Sequence, residues 1–332
     1  MGIPIDSSVK LFTLKRPSMR QVKIGDFTYD IIEQLSLPER GRWKVQRIDR
    51  HADGRIFTVI DLAHSEAAVQ LRNALKRLPE DFTSIPRLVD SESTGERIRL
   101  VLTWCNGTNF ATYMNRAQNG RSFTPSVWES IRRIRSLVHA VGVLHRHCRV
   151  IHGDIKPANL ILPSDRKSIF LIDFGSSWQI ENTRGRSIGD GSDPFYAAPE
   201  VFREASIVDE RADHFSMGVV LFEMLTGKLP YEGSGGKAGA TMYRSQFDGS
   251  LEQPSKISPE LMLLPAAIRD AINQLLAQAL GLEPEGRFAS TRQFADRIDS
   301  IWIQLQNAKH LRAAPQKSWF EKLLNWGNHR HQ

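Results

Sequence analysis

Cysteine is nearly missing from this chain. Its 332 residues include only Cys105 and Cys148, and neither lies in a Cys-x-x-Cys pair. That excludes a disulfide framework. Long apolar runs are missing too. None approaches the roughly 18 residues of a membrane-spanning helix, and the N-terminus lacks the apolar core of a signal peptide. Met1-Gly2 is followed at position six by Asp6, not Ser or Thr, so an N-myristoylation signal is lacking. These absences lead to the expectation of a reduced, cytoplasmic protein. The net charge is +7 and unevenly spread: residues 10–50 hold ten Lys/Arg against five Asp/Glu. No nucleic-acid motif accompanies this charge, so nucleic acid is not an expected partner. Hydrophobic residues make up 41% of the chain, enough for ordinary packing, and the length suggests two units of core, one of them small.

The most informative segment is His152-Gly153-Asp154-Ile155-Lys156-Pro157-Ala158-Asn159, followed by Asp173-Phe174-Gly175 and then Ala198-Pro199-Glu200. Asp154 can accept a proton from a hydroxyl. Lys156 can neutralise charge on a transferring phosphate. Asn159 and Asp173 are hard oxygen donors that suit Mg²⁺. The order and spacing of the three motifs are far more specific than a lone Asp-Phe-Gly.

The series resembles the serine/threonine protein kinase family. The resemblance covers about residues 28–305 and implies an α+β, bilobal fold with a small β-rich N-lobe and a larger, mainly helical C-lobe. It implies ATP and Mg²⁺ as cofactors, with Asp154 and Lys156 catalytic and Asn159 and Asp173 on the metal. A protein with a Ser/Thr acceptor is the implied substrate, with autophosphorylation in view. The expected domains are an extension (1–27), an N-lobe (28–105), a C-lobe (106–305) and a basic amphipathic tail (306–332). The tail carries Trp319, Phe320, Leu323, Leu324 and Trp326 among Lys317, Lys322 and Arg330. Its expected contact is its own C-lobe, a partner or an anionic membrane.

The N-terminal half departs from the family pattern. Strands are expected at 28–37, 43–48, 55–62 and 98–104, and a helix at 65–78. The glycine-rich phosphate loop is reduced to Gly41. The third strand reads Thr58-Val59-Ile60-Asp61, so an aspartate stands where the family carries lysine. Lys44, after Trp43, is the expected replacement cation, with Arg42 and Arg47 behind it. That placement is similar to the with-no-lysine kinases. Arg72 is read as a possible mate for Asp61. Leu102 falls at the gatekeeper position, the backbone of Thr103 to Cys105 would meet adenine, and Val59 and Ile161 would close the adenine slot from above and below.

The C-terminal half keeps the pattern. A long amphipathic helix is expected at 126–148, with others at 265–280 and 289–306. Asp213 is expected to cap the catalytic-loop backbone, and Arg287 to pair with Glu200. Ser192 is read as the hydroxyl that bonds Asp154 and Lys156. Gly153 replaces the arginine that usually receives an activation-loop phosphate, so activity is expected not to depend on that modification. Two other readings stay open: a pseudokinase that binds without catalysing, and a small-molecule kinase or nucleotidyl transferase on the same fold.

Overall fold

The computed structural model describes residues 21–36, 41–49, 54–118, 125–165, 168–180, 192–203, 207–239 and 250–313. The chain forms two compact units. One contains the residues up to His64 together with Val89–Trp104; the other contains Ser65–Leu88 and the residues from Cys105 onward.

The first unit is a six-stranded sheet of β1 (Gln21–Ile24), β2 (Phe27–Gln34), β3 (Arg42–Arg47), β4 (Ile56–Ala63), β5 (Leu88–Ser93) and β6 (Arg97–Thr103), in the order β1-β2-β3-β4-β6-β5. Strands β2, β3 and β4 are the three expected from sequence, and β6 is the fourth. The sheet opens at Gln21, inside the stretch read as an extension, because Val22 and Ile24 alternate inward against β2.

Residues paired across an antiparallel ladder share a face. Trp43, Val59 and Val101 therefore lie on one face, with Val45 and Phe57 beside them. These residues join Val22, Ile24 and Tyr29 in a small core of their own. Lys44, Thr58 and Leu102 lie on the opposite face, followed along the strands by Arg42, Ile60 and Leu100, then by Leu62 and Ile98.

The second unit holds α1 (Glu66–Leu75), β7 (Thr108–Asn109), α2 (Phe110–Gln118), α3 (Val127–Val143), β8 (Val150–Ile151), β9 (Leu160–Leu162), β10 (Phe170–Leu171), β11 (Trp178–Gln179), α4 (Arg211–Thr226), α5 (Pro254–Ile257), α6 (Pro259–Met262), α7 (Ala266–Ala279) and α8 (Thr291–Ala313). Helix α3 begins at a capping box, in which Ser126 and Glu129 satisfy each other's backbone donors. It ends in a π-turn over Leu144–Cys148, which closes at Arg149 with φ +58°. Helix α4 is apolar on nearly all sides and runs through the middle of the core. Helix α1 was read with the N-lobe. It groups with the second unit because it packs on β11 and the π-turn. Helix α8 runs past the expected limit at 305 to Ala313. Residues 314–332, most of the expected tail, lie outside the described residues.

Candidate active site

The loop after β8 is anchored from below by one buried carboxylate. Asp213, near the start of α4, accepts the backbone N–H groups of His152 (2.8 Å) and Gly153 (2.9 Å), and the Nε2 hydrogen of His145 (2.7 Å). Burial by itself would raise the Asp213 pKa. The hydrogen bond and charge of His145 outweigh it and hold the carboxyl below the usual range. The capping role expected of Asp213 is thus met.

His152 braces the loop. Its Nε2 donates to the carbonyl of Ile172 at 3.1 Å, which leaves Nδ1 to accept the N–H of Asp154. Its ring meets Phe174 edge-on at 5.3 Å, and Phe174 is buried. The Asp-Phe-Gly segment and the catalytic loop are therefore tied through one imidazole.

Above this anchor the expected side chains converge. Asn159 Nδ2 donates to both the carbonyl and Oδ2 of Asp154, each at 2.8 Å. Lys156 Nζ lies 3.0 Å from Asp154 Oδ2. Asp173 adopts φ +72°, and its Oδ1 accepts the N–H of Gly175 at 3.1 Å. Left-handed backbone at a non-glycine residue is costly and is kept only where the surroundings impose it. Here the bonds from Ile172 N to Asn159 O and from Gly175 N to Asp173 Oδ1 hold it on either side.

The role expected of Ser192 is corrected by the structure. Ser192 Oγ bonds the carbonyl of Gly153 at 3.0 Å, not Asp154 or Lys156. The next residue fills that place: Asp193 N–H donates to Asp154 Oδ1 at 3.3 Å, and its carboxylate lies 3.9 Å from Lys156 Nζ. Lys156 thus lies between two carboxylates. The sequence reading gave this place to Ser192 and missed Asp193, whose partners lie 39 and 37 positions back along the chain.

The Ala198-Pro199-Glu200 segment is held by the predicted ion pair. Arg287 Nη1 and Nη2 meet Glu200 Oε1 and Oε2 at 2.7 and 2.8 Å, with both side chains buried. Arg287 also donates to the carbonyls of Gly281 and Arg211.

Behind Asp213 lies a polar cluster that the sequence did not announce. Thr291 Oγ1 bridges His145 Nδ1 (2.7 Å) and His214 Nε2 (2.8 Å). His214 Nδ1 is buried without a partner. Burial first, and the neighbouring His145 charge second, push the His214 pKa down to about 3. The native state thus refuses a proton that the unfolded chain binds near pH 6.5. This stability is complete above pH 6.5 and drains as pH falls towards 3. At pH 5 the loss is on the order of 2 kcal/mol. His214→Phe keeps the edge contact with Phe294 and should flatten the acid side of a melting-temperature profile between pH 6.5 and 5. Parallel profiles would show that His214 titrates normally.

The remaining predicted residues divide between the units. In the first, Lys44, Gly41, Val59, Leu102 and Thr103 do not share a surface. Val59 is fully buried in the small core, on the face opposite Lys44 and Leu102, so it cannot close a slot that Leu102 lines. Gly41 has φ +47°, and a Cβ there would lie 2.9 Å from both the Cβ and the carbonyl of Asp61. It lets β3 start close against β4, with Asp61 N–H bonded to its carbonyl at 2.7 Å. Asp61 itself lies on Val59's face and meets Arg97 (2.9 Å) and Arg99 (3.5 Å). These two arginines, not Arg72, are its mates. The residue of β4 that follows Thr58 on Leu102's face is Ile60, paired with Arg42. In the second unit, Cys105 is half-buried and its thiol is pushed up to about 12 by burial. Ile161 is half-buried on β9, between β7 and β10.

Comparison with known proteins agrees with this arrangement. The family model "Protein kinase domain" matches residues 59–297. The serine/threonine-protein kinase AtPK2/AtPK19 of Arabidopsis thaliana is 31% identical over 274 residues, covering 80% of this chain and 51% of that protein. The serine/threonine-protein kinase PknJ of Mycobacterium bovis is 30% identical over 216 residues, covering 60% of this chain and 35% of its own. Among solved structures, the PknI kinase domain of Mycobacterium tuberculosis matches with a TM-score of 0.57 at 21% identity, covering 85% of this chain and 98% of that one. The chain belongs to the protein kinase domain family and has its α+β fold. It spans about half the length of AtPK2/AtPK19. Among the described residues, no helix is long and apolar enough to cross a membrane.

Proposed function

We propose that this chain transfers the γ-phosphoryl group of ATP to serine or threonine hydroxyls of proteins, itself included. The observation that carries this is the assembly of Asp154, Lys156 and Asn159 around one buried anchor, with the segment of Asp173 tied to the same loop through Ile172. Asp154 would accept the proton leaving the acceptor hydroxyl. Lys156 would neutralise charge on the phosphoryl group in flight. Asn159 commits its amide nitrogen to Asp154, so its oxygen is the atom it offers a cation. With the Asp173 carboxylate this makes two hard donors, which suits Mg²⁺ held partly by substrate phosphates. When bound, Mg²⁺ would neutralise the nucleotide's phosphates. The serine/threonine specificity draws on Lys156 and on the names of the Arabidopsis and mycobacterial relatives.

We propose further that the missing strand lysine is replaced from β3. Lys44 is the sequence candidate, but its Nζ lies 4.6 Å over the Trp104 ring. Arg42 shares Leu102's face and sits directly beside Ile60, at the vacated position. Arg47 is on the other face, stacked on Phe27 and paired with Asp49. The position of Arg42 makes it the better phosphate partner. The domain limits are proposed to widen from 28–305 to 21–313, because β1 pairs with β2 and α8 is continuous to Ala313.

A pseudokinase is the second reading, favoured by Ile60 and by a phosphate loop reduced to the single glycine Gly41. Transfer from labelled ATP with Mg²⁺ to a basic acceptor protein decides between them. Label in the wild type but not in Asp173→Ala supports the kinase; nucleotide binding without label in either supports the pseudokinase. Given activity, Arg42→Ala should raise KM for ATP at least tenfold, and more than Lys44→Ala. The reverse order would return the role to Lys44. Small, equal effects would place the cation elsewhere.

A further inference from the structure

Gly153 does more here than leave out an arginine. It has φ +75°, and a Cβ at this position would lie 2.0 Å from Trp178 Cζ3 and 2.8 Å from Cη2. The indole occupies the space through which any side chain at 153 would have to leave the backbone. Trp178 stands on β11, and β11 is strapped along the catalytic loop. Trp178 pairs with Ile151 and Gln179 with Val150. Ser177 Oγ donates to the His152 carbonyl at 3.1 Å, and Ile180 N–H to the Arg149 carbonyl at 2.9 Å. From the other side, Ser192 Oγ holds the Gly153 carbonyl. The strap also reaches α1, which packs on β11 and accepts a bond at Gln70 O from Gln179 Nε2 (3.5 Å). Trp178 itself packs against the core of the second unit.

We propose that Trp178 is the positioning residue of the catalytic loop, and that its packing into the space over Gly153 does the work of the arginine–phosphate pair this chain lacks. An arginine–phosphate pair orders such a loop by charge and only after modification. An indole in a fitted hole orders it by burial and dispersion, permanently and with little dependence on salt. The loop geometry therefore comes ready-made, with Ser177 and Ser192 holding it as free hydroxyls and no phosphate needed. The inference rests on the phosphotransfer reading above for its kinetic consequence, but not for its structural one.

The test uses the full chain, dephosphorylated by a phosphatase, with Trp178→Ala, Trp178→Phe, Gly153→Ala and the double variant Gly153→Ala/Trp178→Ala. Amide exchange at 152–154 is read beside kcat and KM. Trp178→Ala should speed exchange at these amides at least tenfold and lower kcat by about tenfold or more, with KM for ATP within twofold. Trp178→Phe should recover much of both. Gly153→Ala should copy Trp178→Ala, because the new Cβ expels the ring. In the Trp178→Ala background the same change should cost less, leaving the strain of φ +75° and the 2.9 Å approach of the Cβ to the Ser176 carbonyl. Unchanged exchange in Trp178→Ala, or strict additivity of the two substitutions, would overturn the inference. So would loss of wild-type activity on dephosphorylation. Altered exchange in a chain that transfers no phosphate would leave the strap standing and remove the kinase reading instead.

Discussion

Asp154→Asn should abolish phosphate transfer while nucleotide still binds. Asp154 is almost fully buried, and its two oxygens are already organised. Oδ2 faces Lys156 and the Asn159 amide, and Oδ1 faces the Asp193 N–H. An amide in its place cannot take a proton. It also presents an N–H₂ group towards donors, so either the Lys156 or the Asp193 contact is lost. General-base catalysis contributes typically 10²–10⁴-fold, and the fall in kcat should lie at or beyond the upper end of that range. ATP affinity, read by fluorescence or calorimetry, should change by less than about threefold, since Asn159 and Asp173 remain. Transfer at the wild-type rate would remove Asp154 from the mechanism.

The second large effect concerns stability. Truncating either partner of the Glu200–Arg287 pair should cost about 3–5 kcal/mol, because the other charge stays buried and unpaired. That is a large part of the roughly 5–15 kcal/mol that holds an ordinary domain together. The melting temperature should fall on the order of 10 °C. Arg287→Ala should be at least as severe as Glu200→Ala, because the carbonyls of Gly281 and Arg211 lose their donor as well. Glu200→Gln keeps the shape and one acceptor, and should cost less. Replacing both residues with methionine should recover part of the loss, since no lone charge is left. Single substitutions that leave the melting temperature within 2 °C would mean that the pair is dispensable.

The catalytic set could be read from the sequence because it is local. Asp154, Lys156 and Asn159 lie on one short loop, where chain geometry alone keeps them near one another. Asp213, Glu200 and Arg287 were legible for a different reason. A fully buried charge tolerates few substitutes, so the residue type at each position carries the information. The helices at 126–148, 265–280 and 289–306 followed from apolar spacing, and the structure differs from them mainly at their ends.

The sheet was harder, and the reason is its period of two. A shift of one residue moves a side chain to the other face. Asp61 was read at the lysine position, but its pairing with Arg99 puts it on Val59's face, and Ile60 takes the place beside Arg42. Nothing in Thr58-Val59-Ile60-Asp61 announces which register holds. Apolar residues stand on both faces, so alternation gives no direction. The same limit misplaced Val59 in the adenine slot. Asp193 and Trp178 were missed because their roles come from contacts with residues 39 and 25 positions away. The sequence by itself determined the family, the residues that meet on one loop and the charges that must be buried. The tertiary structure alone decided which face each strand residue shows, which carboxylate shares Lys156, and what fills the space over Gly153, because pairing register and packing depend on neighbours that are distant along the chain.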